Sequence, residues 1–196
     1  RDEADHESIM AYCNDIAANL RQLRFHEREV EVVVDARDIN AGEKGWGWVK
    51  KGIPIRAEVG PRDMANGSVF MARRDTGKKE GIDKDEFVAT VVQTLEDIQQ
   101  GLLQKALAHR AENTKEIDSF DEFVTFFTPA NKARPEAHGG FAMSHWCDAA
   151  KCEDKINDEL SVTIRTVPFD RAEGGAGECI CCGQPSAGRV VFAKSY

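Results

Sequence analysis

Five of the six cysteines lie in the last 50 of 196 residues, while Cys13 stands alone near the start. Cys147 and Cys152 form one pair, separated by four residues. Cys179 and Cys182 form a second, separated by two, with Gly183 directly after it. Two short-spaced pairs about 30 residues apart suit tetrahedral zinc, because each pair delivers two thiolates from one turn of chain. The glycine behind the second pair lets the backbone fold tightly beneath the sulfurs. Four thiolates leave no open coordination position, so such an ion would fold a small domain and do no chemistry. Cys181 could replace a neighbour as ligand, and His145 could compete with Cys147. The alternatives to a metal are buried free thiols or a redox pair. The redox reading lacks a βαβ context around either pair. Cys13 falls on the apolar stripe of a helix and reads as a core residue.

No other constellation suggests catalysis. There is no Walker loop, no GxGxxG and no His-Glu-x-x-His, and the five histidines form no catalytic spacing. No catalytic residue is assigned, and nothing binds ATP in a recognisable way. The net charge of −8 argues against a general nucleic-acid binder, but it conceals a division. Residues 44–79 carry nine Lys/Arg against three acids, net +6, while 1–43 carry net −6. A local basic block can guide a polyanion to one face, or be a solvated surface.

The elements that must position these groups follow from periodicity. Ile9, Cys13, Ile16, Leu20 and Leu23 predict an amphipathic helix over 7–23. Glu29–Asp35 reads as a strand, Gly42–Trp48 as a loop, and Ile53–Val59 and Ser68–Arg73 as two strands joined by a turn segment. Asp83 and Glu86 open a long helix that fades near Asn113. Ser119 and Glu122 cap a short Phe-rich helix. Residues 128–140 read as loop, Ala149–Glu159 as helix, Ser161–Val167 and Arg189–Ala193 as strands. The expected domains are 1–115 and 116–196. No apolar run is long enough to span a membrane, no signal peptide leads the chain, and a cytoplasmic location with reduced thiols is expected. A chain that opens at Arg1 is expected to be a piece of something longer, or a processed form.

Two segments carry a resemblance. Lys51-Gly52-Ile53-Pro54-Ile55-Arg56-Ala57-Glu58-Val59-Gly60-Pro61-Arg62-Asp63-Met64, followed by Arg73-Arg74-Asp75-Thr76-Gly77, resembles the anticodon-binding domain of class II prolyl-tRNA synthetases. His145-Trp146-Cys147, Cys152-Glu153, Ile164-Arg165, Val167-Pro168-Phe169, Cys179-x-x-Cys182-Gly183 and the ending Val191-Phe192-Ala193-Lys194-Ser195-Tyr196 resemble the zinc-containing C-terminal domain of that family's archaeal- and eukaryote-like branch. The resemblance implies an α/β anticodon-binding domain, its mixed sheet flanked by helices and lacking its first strand, then a small α+β zinc-binding domain. It further implies a prolyl-adenylate site, with its ATP, in a catalytic domain outside these residues, a homodimeric parent, and a terminal tyrosine directed toward the catalytic domain.

The resemblance also implies a partner, the anticodon loop of proline tRNA. Proline anticodons carry two adjacent guanines. A guanine edge accepts at O6 and N7 and donates at N1 and N2, so basic groups suit the first and carboxylates the second, once the bases are splayed from the loop. By position, Arg56, Asp63 and Lys78 match anticodon-contacting positions and Arg62 a basic one. Glu58 and Arg74 offer matching chemistry, Lys50 and Lys51 suit phosphates, and Trp46 is the candidate stacking aromatic. Val49 replaces a family carboxylate in Trp48-Val49-Lys50-Lys51-Gly52. The bland alternative is surface ion pairing, such as Arg62–Asp63 or Arg74–Asp75. The rival function is a free-standing zinc-containing interaction module without ligase activity.

Overall fold

In the computed structural model the described residues are 3–129, 131 and 140–194. Most of the expected 128–140 loop and the terminal Tyr196 therefore lie outside them. The chain divides into two compact units, 1–106 and 107–196. Among the described residues no helix is long and apolar enough to cross a membrane.

The first unit opens with helix α1 (Glu3–Arg21). Its Ile16 and Leu20 pack with Val69 and Met71 of a strand and Phe87 and Val91 of a later helix to form the core. Tyr12 pins the same helix by donating from its hydroxyl to the Ser68 carbonyl at 3.1 Å. A tight hairpin follows, β1 (Arg24–Phe25) and β2 (Arg28–Glu29), turned by His26 and Glu27 at φ 45° and 65°. The strand expected over 29–35 does not form beyond Glu29. Residues 30–34 alternate between half-buried and exposed as a strand would, but no described strand pairs with them. Period-two patterning specifies a face, whereas a strand also needs a neighbour to complete its hydrogen bonds.

The expected loop at Gly42–Trp48 is instead helix α2 (Ala41–Lys50). Asn40 caps it, accepting from the Gly42 N–H at 2.8 Å, and Glu43 in the first turn and Lys50 in the last suit the helix dipole. Gly42, Gly45 and Gly47 each disfavour a helix by about 1 kcal/mol relative to alanine, which is why the sequence reads as loop. Gly52, at φ 79°, ends it with the left-handed turn that glycine adopts without strain. Three antiparallel strands come next: β3 (Ile55–Glu58), β4 (Ser68–Arg73) and β5 (Lys79–Asp83). The turn expected between the first two is a short helix, α3 (Pro61–Ala65). β5 is unexpected, with Ile82 its one large apolar side chain; it is an edge strand that completes the sheet by backbone pairing. Asp83 then caps α4 (Lys84–Glu112), accepting from the N–H groups of Asp85 and Glu86 at 2.8 and 3.1 Å.

The second unit is built on a four-stranded sheet in the order β6–β7–β11–β8: β6 (Thr114–Glu116), β7 (Phe141–His145), β8 (Val162–Thr166) and β11 (Arg189–Lys194). β6 runs parallel to β7, and β11 runs antiparallel to both its neighbours. Helix α5 (Phe120–Phe127), capped by Ser119 as expected, brings Phe123 and Phe127 onto Phe192 of β11. Ile117, Ile156, Val162 and Val190 complete that core. Helix α6 (Ala150–Leu160) ends at Ser161, whose φ of 55° turns the chain directly into β8. A two-residue ladder, β9 (Gly177–Glu178) with β10 (Pro185–Ser186), frames the last cysteines.

Candidate metal centre and nucleic-acid interface

Cys147 follows β7, and Cys152 stands in the first turns of α6. Cys179 and Cys182 sit on the turn between β9 and β10. Backbone bonds hold that turn: Cys179 donates to Gln184 at 2.8 Å, Gly183 donates to Cys179 at 2.9 Å, and Gly183 adopts φ 71°. The Ile180 N–H donates to the His145 carbonyl at 2.9 Å and fastens the turn to β7.

The four sulfurs lie within 4.8 Å of one another. Cys147 is 3.7 Å from Cys152 and 3.6 Å from Cys182, sulfur to sulfur. Zinc–sulfur bonds of about 2.3 Å in a tetrahedron put the sulfurs about 3.8 Å apart, so the donor set fits such an ion. Burial pushes the Cys147 and Cys152 thiols up, while the exposed Cys182 is drawn down to about 7, chiefly by the Gln184 backbone N–H. The two remaining candidates fall outside the set. Cys181 packs against the apolar core, and His145 is buried beside Ser186, with its Nδ1 3.3 Å from the Ser186 hydroxyl.

In the first unit the basic block spreads over three places. Around the junction of α2 and β3, the Arg56 guanidinium presses against Gly45, where a side chain would collide with it, and reaches Glu58 at 3.4 Å. The missing side chain of Gly45 thus makes room for an arginine that is only 18% exposed. Trp46 is 61% exposed, with the Lys50 ammonium 5.9 Å from its ring. Beyond the Glu58 end of β3, Asp63 accepts from the Gly60 N–H at 2.9 Å and closes the first turn of α3, which also carries the exposed Arg62. At the other end, beyond Arg73 of β4, lie Arg74 and Lys78. Because Ile55 pairs with Arg73, these two are separated from Asp63 by the length of β3, about 13 Å at 3.3 Å per residue. Arg74 borders a cavity of about 240 Å³ with Phe25, Pro54, Leu95 and Leu102, and Lys78 pairs with Glu80 at 2.8 Å. The expected surface pairs do not form. Asp75 takes Arg73 in place of Arg74, at 2.9 and 3.1 Å, and Asp63 caps α3.

The structure adds a group that the sequence patterning does not reveal. Asp35 accepts from the Arg37 guanidinium twice, at 2.8 and 2.6 Å, and from the Trp48 indole N–H at 2.7 Å. Lys51 lies 4.3 Å above the Trp48 ring. The Asp-x-Arg spacing is visible in the sequence, but its partner Trp48 is supplied only by α2.

Comparison with known proteins shows two domain families in chain order. Residues 3–94 match the anticodon binding domain, and 132–196 match the prolyl-tRNA synthetase C-terminal domain. Proline–tRNA ligase 2 of Anaeromyxobacter dehalogenans is 42% identical over 97% of this chain and 38% of its own length. Proline–tRNA ligase of Protochlamydia amoebophila is 40% identical over 96% of this chain and 37% of its own. A solved prolyl-tRNA synthetase of Cryptosporidium parvum, complexed with L-proline and AMP, superimposes with TM-score 0.75 and 26% identity over 97% of this chain and 38% of its own. The chain therefore spans somewhat over a third of the length of the relatives it matches.

Proposed function

With the chain identified as the anticodon-binding and C-terminal module of a prolyl-tRNA synthetase, we propose that its first unit reads the paired guanines of the proline anticodon. The second unit, on this reading, is a zinc-stabilised structural domain. The observation that carries it is the order of the two matched domains, an anticodon-binding domain at 3–94 and a synthetase C-terminal domain at 132–196.

The chemistry assigns roles. Arg56, braced by Gly45 and Glu58, offers donors to guanine O6 and N7. A carboxylate such as Asp63 or Glu58 accepts from guanine N1 and N2. Asp63 spends one oxygen on Gly60 and keeps the other for a base. Exposed Trp46 is a stacking platform for a splayed base. Lys50, Lys51 and Arg62 take phosphates, as do Arg74 and Lys78 further along the hairpin. Cys147, Cys152, Cys179 and Cys182 hold the zinc ion, which supplies folding free energy alone.

The whole protein then ligates proline to its tRNA with ATP. This chain docks on its catalytic domain, the parent is a homodimer, and the location is the cytoplasm. On this reading the two roles divide toward the end of α4, ahead of β6 and close to the expected boundary at 115/116. Relation to the archaeal- and eukaryote-like branch is supported by coverage of both units by the Cryptosporidium structure and by the Cys179-x-x-Cys182-Gly183 knuckle. The test is binding of a proline anticodon stem-loop. The GG anticodon should bind more tightly than its AG or GA variants, and equal binding of all three refutes the reading.

A further inference from the structure

Three cations gather about Asp35 and the half-buried Trp48 indole in the first unit. Arg37, 57% exposed, lies bidentate on Asp35, and its guanidinium carbon is 6.0 Å from the centre of the Trp48 ring. Lys51 covers the Trp48 ring at 4.3 Å, and Lys44 donates to the Asp35 carbonyl at 3.2 Å. Asp35 itself is 13% exposed and is held well below the usual carboxylate range, first by the Arg37 hydrogen bonds. With Glu43 also acting on Arg37, the balance is three cations against two carboxylates.

This arrangement is more built than an ion pair needs to be. Arg37 commits Nε and Nη2 to Asp35, so its Nη1 hydrogens remain to serve an acceptor outside the pair. Trp48 is fixed at its N–H edge by Asp35, and its ring in turn stations Lys51. The cluster also continues into the proposed anticodon face: Trp48 lies one turn after Gly45 on α2, and Gly45 carries the Arg56 contact.

We propose that Asp35 is a positioning residue that aims Arg37 and the Trp48–Lys51 pair as one seat for the phosphate backbone of the RNA bound by this unit. It rests on the anticodon reading above. The bound chemistry is the single-stranded phosphodiester backbone flanking the splayed bases, and the seat contributes affinity without sequence preference.

The sign of one substitution separates this from simple electrostatics. Asp35→Asn removes a negative charge, so charge alone would tighten RNA binding. Loss of positioning weakens it. The experiment measures the affinity of the 196-residue chain for a proline anticodon stem-loop over a salt series, for Asp35→Asn and for Arg37→Gln, with thermal melting of each variant to establish that it is folded at the assay temperature. Each variant should bind roughly tenfold more weakly, the order of one charge-assisted hydrogen bond. The slope of log affinity against log salt should flatten by about 0.7, the increment for one phosphate of single-stranded RNA left without its cation. The ratio of affinities for GG and AG anticodons should stay unchanged. Tighter or unaltered binding by Asp35→Asn, or an unaltered slope for Arg37→Gln, overturns the proposal. If the unmutated chain prefers GG while both variants keep its slope, the anticodon reading survives and this one fails. If the unmutated chain binds no stem-loop, both fail together.

Discussion

Replacing Cys179 by serine tests the metal centre most directly. Cys179 is 3% exposed, on a turn whose backbone is already closed by its own bonds to Gln184 and Gly183. The substitution therefore removes a ligand without removing the turn. Structural zinc contributes roughly 10–16 kcal/mol of apparent binding free energy, and an equal share for each of four thiolates is about 2.5–4 kcal/mol. That corresponds to a loss of zinc affinity of about two to three orders of magnitude. In a unit of this size 1 kcal/mol moves the midpoint by about 4–8 °C, so unit 107–196 should melt at least roughly 10 °C lower while unit 1–106 is unmoved. The assay is elemental analysis for one zinc per chain, with melting followed before and after chelation. Chelation should lower both midpoints, the wild type's by more, since the variant has already lost part of the stabilisation that zinc supplies. Cys181→Ser is the control, because that side chain packs on the core outside the sulfur set, and its zinc content should be unchanged. A wild-type protein that purifies metal-free and melts identically with and without chelator refutes the reasoning. Zinc loss on Cys181→Ser would show that the ligand set was misassigned.

Gly45→Ala should raise the helix propensity of α2 by about 1 kcal/mol yet displace Arg56, so thermal melting holds or rises while anticodon stem-loop affinity falls; unchanged RNA binding would sever Arg56 from the site. Asp63→Ala should reduce the preference for GG over AG or GA and also cost about 1 kcal/mol in stability by removing the cap, whereas Lys50→Ala should lower affinity for all anticodons alike. Acid should destabilise both units. Asp35, Asp75, Asp118 and Asp148 are each held below the usual carboxylate range by an arginine, so the unfolded chain takes up protons first as pH falls. Their contribution is present above about pH 4 and is lost progressively below it, which urea melts at stepped pH would register. Finally, the isolated chain should catalyse no proline-dependent pyrophosphate exchange, because its sequence carries neither a Walker loop nor GxGxxG; any such exchange counts against the domain assignment.

The helices with strong caps and full apolar stripes were legible in the sequence. Asp83 announces α4, Ser119 announces α5, and the paired cysteines announce the sulfur set the fold assembles. What escaped was structure held by groups that sequence patterning treats as polar. β7 buries Ser144 and His145, made tolerable by the Ser144 hydroxyl donating to the Ile117 carbonyl at 2.7 Å and by Ser186 beside His145. That buried hydrogen bonding is invisible until Ile117 and Ser186, distant in sequence, arrive. β6, Thr114-Lys115-Glu116, has no apolar residue and is an edge defined by its neighbour alone. The three glycines of α2 concealed a helix, and with it the meeting of Asp35, Arg37 and Trp48. In the basic block, residue type revealed the charge, but only strand register shows that Arg74 and Lys78 stand at the far end of β3 from Asp63.

The place of β11 in its sheet has a consequence for how the protein is made. Among the described residues it is the last element in sequence order, yet it lies between β7 and β8 and supplies Val190 and Phe192 to the centre of the core. Its partners on β7 lie more than forty residues earlier, as in Val190 opposite Ser144. During synthesis from the N-terminus the first unit can close early. The second must wait as an open set of strands and a Phe-rich helix until residues 189–194 leave the ribosome. Translation that stopped before residue 189 would not yield a slightly trimmed domain. It would leave β7 and β8 without the strand that joins them, so the cell would meet a folded first unit followed by an exposed, aggregation-prone second unit.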